Sequence, residues 1–386
     1  MSGDPGLRER LSERTLRLCA VKSPIGEEDA IAGLVASEAA ASWPGEVERL
    51  GNAVVLGRVS GARPALVLLG HLDTVPIQAG DFPARRENGR VFGRGASDMK
   101  GALAVMLELG DRLGPEGRAK LPVELAMVFY DREEGPYDSN GLGPLLEARP
   151  DLGRAQLGLC LEPTDLALQL GCCGALHATL TFHGRSAHSA RPWQGENAIH
   201  KAGALLTYLN GLNPRDVQID LPGAPLVFRE VMTATRIDGF TGRNVVPAAC
   251  SVNVNFRFAP GRSIEGAVAE VEALAARFGA TCAITDRSPS GAVPTANPLL
   301  ERLRAITGVA VEPKQAWTDV ARLALAGMPA ANFGPGEQAQ AHQRGEGCSE
   351  EALERGCLLL EKFLLGLQAH ELGAAPPARG GAAGPR

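Results

Sequence analysis

The sequence predicts an α/β protein in which a mostly parallel sheet, covered by helices, is interrupted by an inserted α+β domain. Three observations lead there. Continuous apolar runs such as residues 65–69 and 123–130 alternate with amphipathic helical stretches, the pattern of parallel strands buried on both faces. After Gly174 the pattern changes to strict alternation, and from about Pro294 the first pattern resumes. At 386 residues the chain also exceeds what one hydrophobic core usually organises.

Residues 6–21 and 27–43 read as two amphipathic helices separated by the turn Ser23-Pro24-Ile25-Gly26. Extended stretches follow at 53–59 and 65–69, then a helix at 99–113, a buried strand at 123–130, a helix at 141–148 and a buried strand at 156–161. Beyond Gly174 come a strand at 176–182, a helix at 198–209, strands at 231–237 and 250–258, a helix at 264–278 and a strand at 281–285. That β-α-β-β-α-β order is ferredoxin-like. Helices at 299–306, 320–325 and 350–367 and a strand at 330–333 complete the first domain. The expected limits are therefore 1–173 and 288–371 for the first domain, 174–287 for the insert, and a disordered tail at 372–386, nearly all Ala, Gly, Pro and Arg.

Charge and cysteine usage narrow the function. Lys and Arg number 39 against 44 Asp and Glu, a net charge of −5, with no basic run, so neither nucleic acid nor an anionic membrane is an expected partner. The eight cysteines form no C-x-x-C pair, and the first residues lack the apolar core of a signal peptide. No stretch approaches eighteen uninterrupted apolar residues. The expected setting is the cytoplasm and the expected partner a small-molecule substrate.

The chemistry lies at strand ends. His71 and Asp73 follow the run 65–69, Glu133 and Glu134 follow 123–130, and Glu162 follows 156–161, where open α/β sheets place their sites. Asp98 opens a helix after a glycine-rich loop, and His342 follows the strand ending at Phe333. Taken singly, each has a plain structural reading: a surface turn for His71-x-Asp73, a solvated loop pair for Glu133-Glu134, a helix N-cap for Asp98. Their joint placement is what matters. Two imidazoles with a surplus of carboxylates and no thiolate suit a hydrolytic zinc or cobalt centre. Five carboxylates crowd together only with cations between them, and two divalent ions sharing one carboxylate relieve the repulsion. In an adjacent pair such as Glu133-Glu134, one residue ligates and the other takes the proton. His177, His183, His200 and His370 read as packing or surface residues.

These residues resemble the di-zinc aminoacylase and carboxypeptidase-like exopeptidase family. Gly70-His71-Leu72-Asp73-Thr74-Val75-Pro76 is similar to its first signature, Gly95-Ala96-Ser97-Asp98-Met99-Lys100-Gly101 to its second, and Glu133-Glu134-Gly135 to its third. With Glu162-Pro163 and a late His342, the likeness spans nearly the whole chain. A narrower likeness, to the actinobacterial-type desuccinylase branch, rests on residues 184–191, 197–201, 253–260 and 317–322.

The resemblance implies a zinc-exopeptidase-like catalytic domain and two divalent ions, zinc first and cobalt as the substitute. His71 and Glu162 would bind one ion, Glu134 and His342 the other, and Asp98 would bridge them. Asp73 would orient His71, and Glu133 would act as general base and then acid. The insert would make a homodimer, with His188 reaching into the partner's site to steady the oxyanion. Asn244, Arg257 and Thr318 match substrate-contacting positions. The implied reaction is hydrolysis of N-succinyl-LL-2,6-diaminopimelate to succinate and LL-2,6-diaminopimelate, on the route to lysine. The alternative is another deacylase of the family, such as an acetylornithine deacetylase or an aminoacylase. A rival of another class, a catalytically dead binding homologue, fits poorly with an intact Glu133 and a complete ligand set. Two departures stand out: Cys172-Cys173 replaces a basic pair, and Glu337 replaces an amide common in the family.

Overall fold

The computed structural model describes residues 4, 6–221, 225–239 and 241–372. The expectation of a disordered tail falls on 373–386, outside the described residues, whereas Leu372 is fully buried and its carbonyl accepts a hydrogen bond from Gln156. Two compact units emerge. One draws on Met1–Leu170, Val293–Glu312 and Arg322–Arg386, the other on Gly171–Ala292 and Pro313–Ala321. The expected limits at 173 and 287 thus differ by a few residues, and the segment Pro313–Ala321 packs with the insert although the sequence around it reads as first domain.

The first unit is built on an eight-stranded sheet. Its order is Val47–Leu50, Ala53–Leu56, Glu124–Tyr130, Ala65–His71, Leu157–Cys160, Ala330–Asn332, Leu168–Leu170 and Val311–Pro313. The four central strands are parallel, pairing Ala65 with Glu124, Leu66 with Leu157 and Ala330 with Gly158. Strands Ala65–His71 and Leu157–Cys160 are buried along their whole length, which explains their unbroken apolar character. Antiparallel pairs appear towards the edges, where a tight turn at Gly51-Asn52 joins Val47–Leu50 to Ala53–Leu56 without a crossover helix. Helices Leu7–Ala20, Gly101–Lys120 and Glu350–Gly366 pack on one another over this sheet.

Several details differ from the sequence reading, which did not foresee the short strands Val47–Leu50, Leu168–Leu170, Arg215–Ile219 and Val311–Pro313. The helix expected at 99–113 starts at Gly101, after a five-residue π-helical turn Ala96–Lys100, and continues to Lys120 past a break at Gly114 (φ 57°). A three-stranded sheet of Arg85–Glu87, Arg90–Phe92 and Gly347–Ser349 was not foreseen, because its strands are three residues long and carry no clear alternation.

The inserted unit has a five-stranded antiparallel sheet in the order Arg215–Ile219, Leu226–Asp238, Ala249–Phe258, Gly174–His183 and Thr281–Ser288. Without its first edge strand this is the ferredoxin-like order. Helices Ala198–Asn210, capped by Asn197, and Ile264–Arg277, capped by Ser263, pack on the face lined by Leu180, Phe182, Val254, Phe256 and Phe258.

Candidate metal centre

The central strands deliver the site at their carboxyl ends. His71 is the last residue of Ala65–His71, Glu133 and Glu134 follow Glu124–Tyr130 by three and four residues, and Glu162 lies two beyond Cys160. A Cβ on Gly70 would lie 2.5 Å from Leu103 Cδ2 and 2.9 Å from Met99 Cε, so a larger residue before His71 would make both side-chain ends shift. Gly95, at φ 83°, turns the chain into the Ala96–Lys100 segment. Asp98 caps no helix there; its side chain points at two histidines instead. Arg132 and His342 adopt left-handed backbone at φ 59° and 61°, a conformation that costs a non-glycine residue roughly 1–2 kcal/mol and aims the adjoining side chains.

The side chains converge. His71 Nε2 lies 3.2 Å from Asp98 Oδ1, and His342 Nε2 lies 3.5 Å from Asp98 Oδ2 and 3.0 Å from Glu134 Oε1. Three sets of donor atoms each fall within 4.8 Å of one another: His71, Asp98 and Glu162; Asp98, Glu134 and His342; and His71, Glu133 and Glu134. Asp98 therefore belongs to two sets whose other members are all different. His71 is fully buried, and Asp98 and Glu162 nearly so, while His342 is exposed.

The electrostatics are those of a site built around positive charge. Burial alone would pull His71 down, but the carboxylates of Asp73 and Asp98 overcome it and hold the ring well above the ordinary imidazole value. His342, bonded to Asp98 and Glu134, is pushed up to about 10. Burial pushes the Asp98 carboxyl up, yet His342 and His71 together bring it below the usual carboxylate range. Glu134 is raised, chiefly by burial. In the absence of metal, then, protons on the two imidazoles compensate the carboxylates. A divalent ion in each triad would take over that charge, and the nitrogen and oxygen donors fit zinc or cobalt.

Residues 67–366 match the model of peptidase family M20/M25/M40. The chain belongs to this family. Among its relatives, the Mycobacterium tuberculosis protein provisionally named succinyl-diaminopimelate desuccinylase DapE is 39% identical, over 95% of this chain and 99% of that one. Succinyl-diaminopimelate desuccinylase of Corynebacterium glutamicum is 34% identical over 91% and 95%, and acetylornithine deacetylase of Myxococcus xanthus 32% over 80% and 82%. The fold is that of an M20 family metallo-carboxypeptidase from Sulfolobus solfataricus (TM-score 0.73, 17% identity, 94% and 99% of the two chains). It is also that of a Bacillus subtilis M20 family peptidase described as dinuclear metal binding (TM-score 0.64, 16% identity, 94% and 98%). No helix among the described residues is long and apolar enough to cross a membrane.

Most of the other residues singled out in this M20 chain belong to the inserted unit. His188 is exposed on a two-residue strand, Ala187–His188, paired with Val245–Val246, and Ser189 N–H donates to the Asn244 carbonyl at 2.9 Å. His188 and Asn244 are thus neighbours. His188 Nδ1 accepts the Ala190 N–H at 3.0 Å, so the neutral ring carries its proton on Nε2. Arg257 lies on the sheet face opposite Phe256 and Phe258, its Nε donating to Asn255 Oδ1 at 3.1 Å. Thr318 is buried, its carbonyl accepting the Cys172 thiol at 3.5 Å. Cys172 and Cys173 are buried free thiols, and burial pushes Cys173 up to about 12, so the pair supplies no charge of either sign. Glu337, in the first unit, is engaged by Arg90 at 2.9 Å and by the Ser349 N–H at 3.2 Å.

Two functions in the site escaped the sequence. The His71 ring meets Asp73 through the main chain: Nδ1 is 3.0 Å from the Asp73 carbonyl but 3.6 Å from its carboxylate. The carboxylate itself accepts N–H groups of the Glu133 loop. The second is Glu346, buried beneath the Asp98 loop. Its only sequence signal is its spacing, four residues after His342, and nothing in the sequence pairs it with a loop about 250 positions earlier.

Proposed function

We propose that this chain is a two-metal amidohydrolase that cleaves N-succinyl-LL-2,6-diaminopimelate to succinate and LL-2,6-diaminopimelate, on the route to lysine. The observation that carries the reading is Asp98 standing in two donor triads at once. His71, Glu162 and Asp98 would hold one ion, and Glu134, His342 and Asp98 the other, zinc as the resident metal and cobalt as its substitute. Bound there, the ions polarise the amide carbonyl and acidify a water molecule. Glu133, beside Glu134 and within the His71 set, takes the proton of the attacking water and returns it to the departing amine. Asp73 holds the loop that aims it. The substrate choice draws on the two desuccinylase-named relatives, each aligned over nine-tenths of this chain.

Arg257 would grip the succinyl carboxylate, with Asn244 and Thr318 as further contacts. The inserted unit would form a cytoplasmic homodimer. Strand Arg215–Ile219 covers only Leu226 to Glu230 of its neighbour, so the remainder of Leu226–Asp238 has, among the described residues, an edge open to strand pairing. The Nε2–H of His188 is a donor suited to an oxyanion. If it serves the partner's site, mixing inactive His188→Ala and Glu133→Gln chains under subunit exchange restores partial activity. No recovery after proven exchange rules the trans role out.

The deciding experiment is a paired assay of zinc-loaded protein on N-succinyl-diaminopimelate and N-acetylornithine, the alternative that the Myxococcus relative keeps open. Preference for the succinyl substrate is expected. Faster acetylornithine hydrolysis overturns the substrate while leaving the metal reading intact.

A further inference from the structure

Resting on the two-metal reading above, we propose that Glu346 is a positioning residue that ties the Asp98 loop to the His342 segment and so builds the second metal position. The small three-stranded sheet sets its place. Strand Gly347–Ser349 pairs with Arg90–Phe92 so that Gly347 stands opposite Phe92, and the ladder continues one step further as the Gly93 N–H donates to the Glu346 carbonyl at 3.0 Å. That register drives the Glu346 side chain beneath residues 94–98. It is 1% exposed.

There the carboxylate meets four donors. Oε1 accepts the N–H groups of Ser97 and Asp98, both at 2.9 Å. Oε2 accepts the Gly95 N–H at 2.9 Å and Arg94 Nη1 at 3.0 Å. Arg94 is itself buried and reaches Asp81 through Nε at 3.0 Å. A carboxylate with four convergent donors is a rigid fixture, because each buried N–H left without its acceptor carries a desolvation cost.

The geometric consequence falls on particular ligands. Glu346 stands four residues after His342, in the same segment, and grips the main chain of Asp98 itself. One side chain therefore sets the spacing of Asp98 and His342, 3.5 Å apart at their nearest atoms. Of the first triad, His71 and Glu162 sit at the ends of fully buried parallel strands and need no such tie. Of the second, Glu134 is held through its N–H by Asp73, but His342 lies on an exposed loop in left-handed backbone. Loss of Glu346 should therefore loosen the second position more than the first.

The test is Zn²⁺ titration of metal-free protein by calorimetry, with circular dichroism and thermal unfolding of the same samples. Glutamine is nearly isosteric but presents an NH2 group to two of the four donors. Glu346→Gln is expected to keep one ion at near wild-type affinity and to bind the second roughly 10–100-fold more weakly, the range typical for loss of a residue that orients metal ligands. Unchanged affinity for both ions overturns the proposal. So does equal weakening of both alongside a lowered melting temperature, the pattern of general destabilisation. Should Glu346→Gln fail to fold, Arg94→Lys decides. It removes the fork that serves Glu346 and Asp81 together, and a second-ion affinity equal to wild type in that variant overturns the role. Wild-type protein that binds a single ion refutes the two-metal reading instead, so the two failures are distinguishable.

Discussion

The carboxylate of Asp73 accepts the backbone N–H of Glu134 at 2.9 Å, and its other oxygen accepts that of Glu133 at 3.0 Å. Asp73 thus links two strand ends: its carbonyl meets the His71 ring while its side chain holds the loop that follows Glu124–Tyr130. The main chain of both glutamates is thus fixed, which suits the proposed division into one ligand and one base.

Asp73→Asn should therefore act on the glutamates through their main chain and on His71 through the lost carboxylate charge. The amide keeps one acceptor oxygen but turns an NH2 towards the other N–H, while the carbonyl that meets His71 is unchanged. The expected loss is roughly 10–100-fold in metal affinity or in kcat/KM. Metal titration and initial rates on the purified variant measure it. Wild-type values for both would show that the carboxylate has no hold on the pair.

Within the pair the proposed roles differ. Glu134 stands 3.0 Å from His342 Nε2 and shares a donor set with Asp98, whereas Glu133 enters only the set around His71. Glu133→Gln should retain both ions and lose about 10²–10⁴-fold in kcat, the range for removal of a general base. Glu134→Gln should lose metal first, with activity partly recovered at high zinc. Interchangeable phenotypes would contradict the assignment.

Metal binding should release protons. His342, pushed up from 6.5 to about 10 by Asp98 and Glu134, is protonated at neutral pH in metal-free protein, and His71 is shifted in the same direction. Because the folded value lies above the unfolded one, the stabilisation of metal-free protein by His342 is complete below about 6.5. It is lost as pH rises through about 10. A metal ion must displace that proton, so zinc affinity should rise with pH, about tenfold per unit for each proton released. Calorimetry at pH 7 in buffers of different ionisation enthalpy counts them, and one to two are expected. Release of none would mean that the histidines are already neutral.

How much of this was legible in the sequence follows from what each feature depends on. Fully buried strands such as Ala65–His71 announce themselves, because burial on both faces forces an unbroken apolar run, and the acids and histidines beyond them inherit their placement from the strand ends. The insert was legible from its change of period. The three-stranded sheet was not, because three residues are too few for any period, and with it Glu346 was hidden, since its role depends on that sheet's register. The carbonyl contact of His71 was equally out of reach, because main-chain acceptors carry no residue type.

The last prediction concerns the acyl group. Arg257 stands between Phe256 and Phe258 on one strand, and alternation sends both phenylalanines into the helix-covered core and the guanidinium to the opposite face. There its Nε is engaged by Asn255, whose amide nitrogen also lies 2.7 Å from His177 Nε2, so the side chain is held from one side and its two terminal nitrogens form the fork that meets a carboxylate. Neither Cys172 nor Cys173 offers a competing cation. A substrate with an acyl carboxylate should depend on this arginine, and one with an acetyl group should not. Loss of a charge-assisted contact costs about 1.5–3 kcal/mol, or roughly 10–150-fold. Arg257→Ala is therefore expected to lower kcat/KM for N-succinyl-diaminopimelate by that range and to change any acetyl-substrate rate far less. Arg257→Lys, which keeps the charge but not the planar fork, should fall between. Equal losses on both substrates would place Arg257 in the structure of the insert and leave the succinyl carboxylate to another residue.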